Sequence, residues 1–290
     1  MFYAYFIHLI ILILIYLIVA LSLQLVLGYG GMLNFGIIAF FGIGAYGFSL
    51  LALNNFPFFI CISIACFISG VFGLFLSLPT NKIKGDYLAL VTLGFSYVAY
   101  AVFLNWNKLT KGSYGLADIP RPHFLGLDFS NNNQYIFLVL FFAVIVFLII
   151  YKIIKSPFGL ALMASRDDEL ASRSLGKSAF KLKTSATILA AIFTGLAGSL
   201  YASYVTYIDP ASFAFSQFIP ILVIVLVGGL ANLRGTVLAT IILVLLPEPL
   251  RFIGFSSAII GPMRIIIYSI ILLLILFFRP KGFFGKIDFE

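Results

Sequence analysis

The chain has 290 residues, is 62% hydrophobic and only 10% charged, with a mean hydropathy of +1.15. Ordinary soluble domains are about 25% charged, and a water-soluble core of this size cannot hide so much apolar surface, so a soluble globular protein is excluded. The net charge of +8 does not indicate nucleic acid, because the basic residues cluster between apolar runs as in the loops of a membrane protein.

A membrane-spanning helix needs about 20 apolar residues. The apolar runs here are continuous rather than alternating, which sets aside a transmembrane barrel. The expected fold is therefore all-α, a polytopic transmembrane helical bundle of about eight to ten spans. It forms a single membrane domain over residues 1–290. The first run is Phe2 to Leu27, too long for a signal-peptide core and without a basic start or small-residue cleavage site. It is read as a retained helix, ending at Gly28, Gly30 and Gly31. Phe35–Leu53, Phe58–Leu78 and Tyr87–Leu104 follow, then a polar stretch from Asn105 to Gln134. Tyr135–Ile154 is the fifth span and Thr184–Tyr207 the sixth, separated by the most charged segment, Lys155 to Lys183. Phe218 to Leu246 is interrupted by Gly228-Gly229 and Arg234-Gly235 and divides into two shorter spans. The last run lies near Met263 to Phe278.

Nine crossings with the N-terminus outside place thirteen of the 18 basic residues in the cytoplasm, among them Lys82, Lys84, Arg279, Lys281 and Lys286. Lys108, Lys111, Arg121, Arg251 and Arg264 fall outside. Cys61 and Cys66 lie in one apolar run at a spacing unsuited to a metal. The pattern Gly30-Gly31-Met32-Leu33-Asn34 is echoed by Gly228-Gly229-Leu230-Ala231-Asn232. Paired glycine-interrupted segments point to a transport pathway, and close helix packing is the competing explanation. Gly30, Gly31, Asn34, Gly228, Gly229 and Asn232 are thus candidates to line or hinge a passage.

No catalytic set is present. Gly176-Lys177-Ser178 ends like a nucleotide-binding loop, but the required first glycine is Ala171. There is no metal-ligand spacing, and the two histidines, His8 and His123, lie far apart. No cofactor is expected. Ionisable residues in the runs are scarce. Asp86, Asp209, Glu248, Arg251 and Arg264 sit near span ends, which argues against a proton- or sodium-driven carrier. A secondary carrier or channel is the runner-up. The segment Lys155 to Lys183 has the marks of a short structured element. Ser156-Pro157 starts a helix, and Ser165 and Asp168 have capping-box spacing. Asp167, Asp168 and Glu169 suit a first turn, Glu169 and Arg173 pair at i,i+4, and Gly176 is a natural stop. The expectation is a cytoplasmic helix from Arg166 to Gly176, about 15 Å long, which either docks on another subunit or is a solvated loop helix with no partner.

The stretches LGYGGMLNFGIIAFFGIGAY, GDYLALVTLGF, LTKGSYGLADIPRP, SPFGLALMASRDDELASRSLG, LVGGLANLRGTVLATIILVLLPEPLR and FFRPKGFFG together resemble the permeases of high-affinity branched-chain amino-acid ABC importers, the LivM type. The resemblance runs in order from about Gly28 to Gly285. It implies a permease in the cell (inner) membrane that pairs with a second, LivH-like permease. Two cytoplasmic ATPases would drive the pair, and an extracytoplasmic binding protein would deliver the amino acid. Similar permeases carry urea or short amides. It also implies that Arg166, Asp167, Asp168, Glu169, Arg173 and Gly176 belong to the segment that couples to the ATPases.

Overall fold

The computed structural model describes residues 2–80, 86–124, 127–129, 131–251, 257–278 and 282. Lys82, Lys84, Arg279, Lys281 and Lys286, which carry part of the orientation argument, lie outside the described residues. Helices α1 (Phe2–Gln24), α2 (Ile37–Leu53), α3 (Phe58–Thr80) and α4 (Asp86–Asn105) form the first half. A short α5 (Asn107–Thr110) and a two-residue antiparallel ladder, β1 (His123–Phe124) with β2 (Leu127–Asp128), occupy the polar stretch before α6 (Asn132–Lys155). Two short helices, α7 (Pro157–Asp167) and α8 (Glu169–Ser174), lead into α9 (Ala179–Val205). The chain closes with α10 (Phe218–Gly228), α11 (Leu233–Leu245) and α12 (Ser257–Phe278).

Five of these helices are long and apolar enough to cross a membrane: α1, α3, α4, α6 and α9. Four shorter apolar helices, at Ile37–Leu53, Phe215–Gly228, Leu233–Leu245 and Gly261–Ile275, complete the set among the described residues. These correspond to the nine apolar segments expected from the sequence, and the fold is a polytopic helical bundle. Several boundaries differ: α2 starts at Ile37, α6 at Asn132 and α12 at Ser257. α1 does not stop at Leu27 but widens into a π-helical turn, Leu25–Tyr29. α9 begins at Ala179 rather than Thr184, because Ser178 caps it by accepting from Lys181 N at 3.4 Å. Lys181 and Lys183 therefore lie in its first turns.

α1 and α9 form the centre, each 72% buried over its apolar window, whereas α6 is 22% buried and peripheral. Small residues explain the central place of α9. A Cβ on Gly44 would overlap the Gly195 carbonyl, and one on Gly198 would overlap that of Phe41. The backbones of α2 and α9 thus touch directly, as membrane helices do at small residues. Ser199 Oγ donates within α9 to Gly195 O (3.0 Å) and across to Gly44 O (3.3 Å). His8, the titratable side chain inside the first run, shares a 2.7 Å hydrogen bond with Tyr204 of α9 and stacks on its ring. Glu248 bonds Tyr5 of α1 and accepts from Arg264 of α12 at 2.9 Å. Pairing of this kind keeps charges near a span end from being left uncompensated.

Candidate coupling site

The two glycine patterns each end one helix shortly before the next begins, although Ala231 also takes a positive φ (+56) in the second. In both, the second glycine takes a left-handed backbone, Gly31 at φ +64 and Gly229 at φ +89, where an L side chain is strained. In both, the asparagine three residues later prepares the next helix. Asn34 Oδ1 accepts from Gly36 N at 2.8 Å, just before α2. Asn232 Oδ1 accepts from Gly235 N at 3.1 Å as the N-cap of α11. Residues 32–36 are non-helical, and α4 supplies partners for them. Thr92 Oγ1 accepts from Phe35 N (3.1 Å), and Ser96 Oγ donates to Phe35 O (2.7 Å).

The fold brings the last turn before the first break against the second break. Gln24 Nε2 donates to Gly229 O at 2.9 Å, and Tyr29 Oη donates to Ala231 O at 2.8 Å. A Cβ on Gly28 would lie 2.7 Å from Ala231 N, and one on Gly228 would lie 2.7 Å from the Gly235 backbone. The breaks are therefore close-packed as well as bent. Gly282 joins them, since a Cβ there would lie 2.8 Å from Gly229 Cα.

α7 and α8 meet the bundle at the same place. α7 starts as expected, with Ser156 as N-cap and Pro157 at the first position. It then runs past the expected cap. Ser165 lies inside α7 and is buried, so it caps nothing. The cap of α8 is Asp168, whose Oδ1 accepts from Leu170 N (2.8 Å) and Ala171 N (2.9 Å). Burial decides this, because Leu162 and Ser165 pack inward and prolong α7 by one turn. The expected single helix is thus two, with a break at Asp168. The stop at Gly176 forms as expected. Gly176 sits at φ +74, with Gly176 N donating to Arg173 O (2.9 Å) and Lys177 N to Ser172 O (3.1 Å), a complete Schellman motif.

The acidic and basic residues of this segment divide into inward and outward groups. Arg166 points inward with a side chain only 15% exposed. Its Nη1 donates to Gly28 O at 2.7 Å, while Nε and Nη2 hold Asp167 Oδ1 at 2.8 and 2.6 Å. The guanidinium thus caps the C-terminal end of α1, where carbonyls lack helical partners and the macrodipole favours a cation. Glu169 is fully engaged within the chain, by Arg173 at 2.5 Å and by Lys183 of α9 at 2.8 Å. The outward surface is formed by Leu160, Leu170 and Leu175, exposed by 60%, 71% and 79%. Gln24, Gly28, Tyr29 and Lys183 belong to this site and were not singled out by sequence reasoning. Gln24 carried a signal, as the one amide in the first apolar run. Lys183 carried none.

A family model described as branched-chain amino acid transport system / permease component matches residues 5–278. The chain belongs to this family. The high-affinity branched-chain amino acid transport system permease protein LivM of Escherichia coli (strain K12) is 34% identical over 92% of this chain and 67% of its own length. LivM of Salmonella typhimurium is 33% identical over the same shares. The probable branched-chain amino acid transport permease protein LivM of Methanocaldococcus jannaschii is 26% identical over 92% of this chain and 89% of its own. No solved structure matches the chain. The permease is a multi-pass membrane protein and a transport subunit rather than an enzyme, with ATP hydrolysis left to separate subunits as in such systems. No cluster of potential metal ligands occurs among the described residues. What this arrangement can do is mechanical: any displacement of α7 pulls on the last turn of α1 through Arg166, and α1 holds the second break through Gln24 and Tyr29.

Proposed function

We propose that this permease forms one half of the translocation unit of an ATP-driven importer for branched-chain amino acids. A LivH-like permease is its partner, two ATPases dock on α7 and α8 from the cytoplasm, and an extracytoplasmic binding protein supplies the substrate. The observation that carries the coupling role is the Arg166–Gly28 hydrogen bond. It links the surface element to the end of the central helix α1, beside both glycine breaks. Docking uses the exposed leucines of α7 and α8 together with Asp167 and Arg173, which are 65% and 56% exposed. Glu169 positions α8 on α9 instead of reaching outward. The first break acts as the hinge, because its left-handed glycine lies against the flexible Arg166 side chain, while the close packing of the second break keeps α10 and α11 in register. Transport is then an alternation between conformations biased by the ATPases.

The test is uptake and binding-protein-stimulated ATPase activity in vesicles holding the assembled transporter. Leucine, isoleucine and valine are compared with other amino acids, urea and short amides. Transport of urea or amides in preference to amino acids overturns the substrate assignment. Orientation is tested separately in a Cys61→Ser/Cys66→Ser background. Ser113→Cys, exposed in the polar stretch, should react with an impermeant thiol reagent added outside, and exposed Ser174→Cys should not. Ser172 is buried and makes a poor reporter. Reversed labelling inverts the topology.

A further inference from the structure

After α9 ends, the chain re-enters the bundle with no α-helix until Phe218. Pro210–Phe213 and Phe215–Gln217 are single 3-10 turns. Ring contacts fix how deep they go. Phe213 packs against Phe103, near the end of α4, and against Tyr46. Phe215 packs against Tyr97 with centroids 6.0 Å apart. Tyr97 lies ten residues, about 15 Å, from Tyr87 and eight residues, about 12 Å, from Asn105. The second turn therefore sits near the middle of the span. Irregular backbone at that depth is tolerated only against protein or a water-filled cavity, never against lipid.

This chain does not cover it. Ala211 is exposed, and Ser212, Phe215, Ser216 and Gln217 are only partly buried. Tyr97 is 55% exposed. The side chains of Ser216 and Gln217 form no hydrogen bond with any described residue. The irregular stretch at 32–36 is the internal control, since Thr92, Ser96 and Asn34 satisfy it within the chain. Polar groups in hydrocarbon cost free energy unless partnered, so Ser216 and Gln217 call for partners from outside the described residues.

We propose that the face formed by Tyr97 of α4 and by Phe215, Ser216 and Gln217 of the turn leading into α10 lines the aqueous passage. This inference rests on the reading of the chain as one half of a paired permease, with the second permease forming the opposite wall. The chemistry fits a zwitterionic amino acid with an apolar side chain. The hydroxyl and amide can exchange hydrogen bonds with its ammonium and carboxylate, and the rings of Tyr97 and Phe215 can take its hydrocarbon. None of these four side chains carries a full charge, so the substrate is guided without being trapped.

The experiment uses the assembled transporter in the background free of Cys61 and Cys66, with Ser216→Cys, Gln217→Cys and, as control, Ile242→Cys on the exposed outer face of α11 (59% exposed). A charged, water-soluble thiosulfonate should modify positions 216 and 217 at least about tenfold faster than 242, since a thiol in apolar surroundings loses its thiolate. Modification should abolish uptake. Reaction with a lipid-soluble maleimide alone, or with neither reagent, overturns the proposal in favour of lipid or of a dry subunit interface. The accessibility readout needs no knowledge of the substrate, so failure of the amino-acid assignment leaves it interpretable. Gln217→Leu, which keeps the start of α10, should lose most uptake with all subunits retained. Wild-type uptake by that variant overturns the proposal even if the cysteine variants do not assemble.

Discussion

The breaks at Gly30–Asn34 and Gly228–Asn232 share a sequence pattern and a positive φ at the second glycine, yet they differ in what holds them. Gly229 is buried, and the carbonyls at 229 and 231 are bound by Gln24 and Tyr29 of the central helix. Gly31 is exposed, and the carbonyl at Gly28 is bound by Arg166, a side chain from the short helices at the surface. The second break is thus locked to the core, while the first is gripped from outside the bundle. A repeated motif encodes how the chain stops and restarts. Which of the two is open to control depends on where the hydrogen-bond partner comes from.

The sharpest test of that contrast is steric. Gly228→Leu drives a side chain into the Gly235 backbone, which has no rotamer to change. Overpacking of this kind costs about 1–3 kcal/mol or more, so uptake should be lost and the extracted complex should melt at a lower temperature. Gly31→Leu meets the flexible methylenes of Arg166 instead. It should lose coupled ATPase activity with a smaller drop in melting temperature. Equal destabilisation by both would mean that the first break is as rigid as the second.

Arg166→Gln comes next. A hydrogen bond from a charged donor contributes about 1.5–3 kcal/mol, here to the contact between α7 and α1. ATPase stimulation by the binding protein should fall with subunits retained, and Arg166→Lys should recover part of it. Gln24→Leu cuts the corresponding bond at the second break and should lower stability more than it lowers coupling. The opposite ranking would reverse the roles of the two breaks.

Smaller effects are expected in α8. Asp168→Ala removes an N-cap worth about 1 kcal/mol and should weaken ATPase retention on a gel, whereas Asp168→Asn should not. Gly176→Val meets open space but is strained at φ +74, at about 1–2 kcal/mol, and should act in the same direction. The smallest effect belongs to Ser165→Ala. Its hydroxyl is buried without a hydrogen-bond partner among the described residues, so stability should change by no more than about 0.5 kcal/mol. A loss near that of Asp168→Ala would restore Ser165 as the cap.

Much of the bundle was legible because apolar runs long enough to cross a bilayer are a local property of the chain. The errors fall where two local signals compete. Ser165 and Asp168 both suit a cap, and burial of Leu162 and Ser165 against the bundle chose between them. Thr184 looked like a span start because Lys181 and Lys183 are charged, yet Lys183 enters the helix with Glu169 as its partner. The candidate residues of the two glycine patterns and of the 166–176 segment turned out to be neighbours, which their spacing in sequence did not indicate.

By itself the sequence determined the helical membrane class, the order of the apolar segments, the two glycine stops and the Gly176 terminus. Each follows from backbone preferences or hydrogen bonds that act within a few residues. Only the tertiary structure decided that Arg166 faces inward, that the last turn before the first break packs on the second, and that Ser216 and Gln217 form no side-chain hydrogen bond among the described residues. Arg166 and Gly28 are 138 residues apart, and Gln24 and Gly229 are 205 apart. No local propensity reaches over such separations. Contacts of that kind exist only once the apolar helices have packed and each stranded carbonyl has taken the nearest donor.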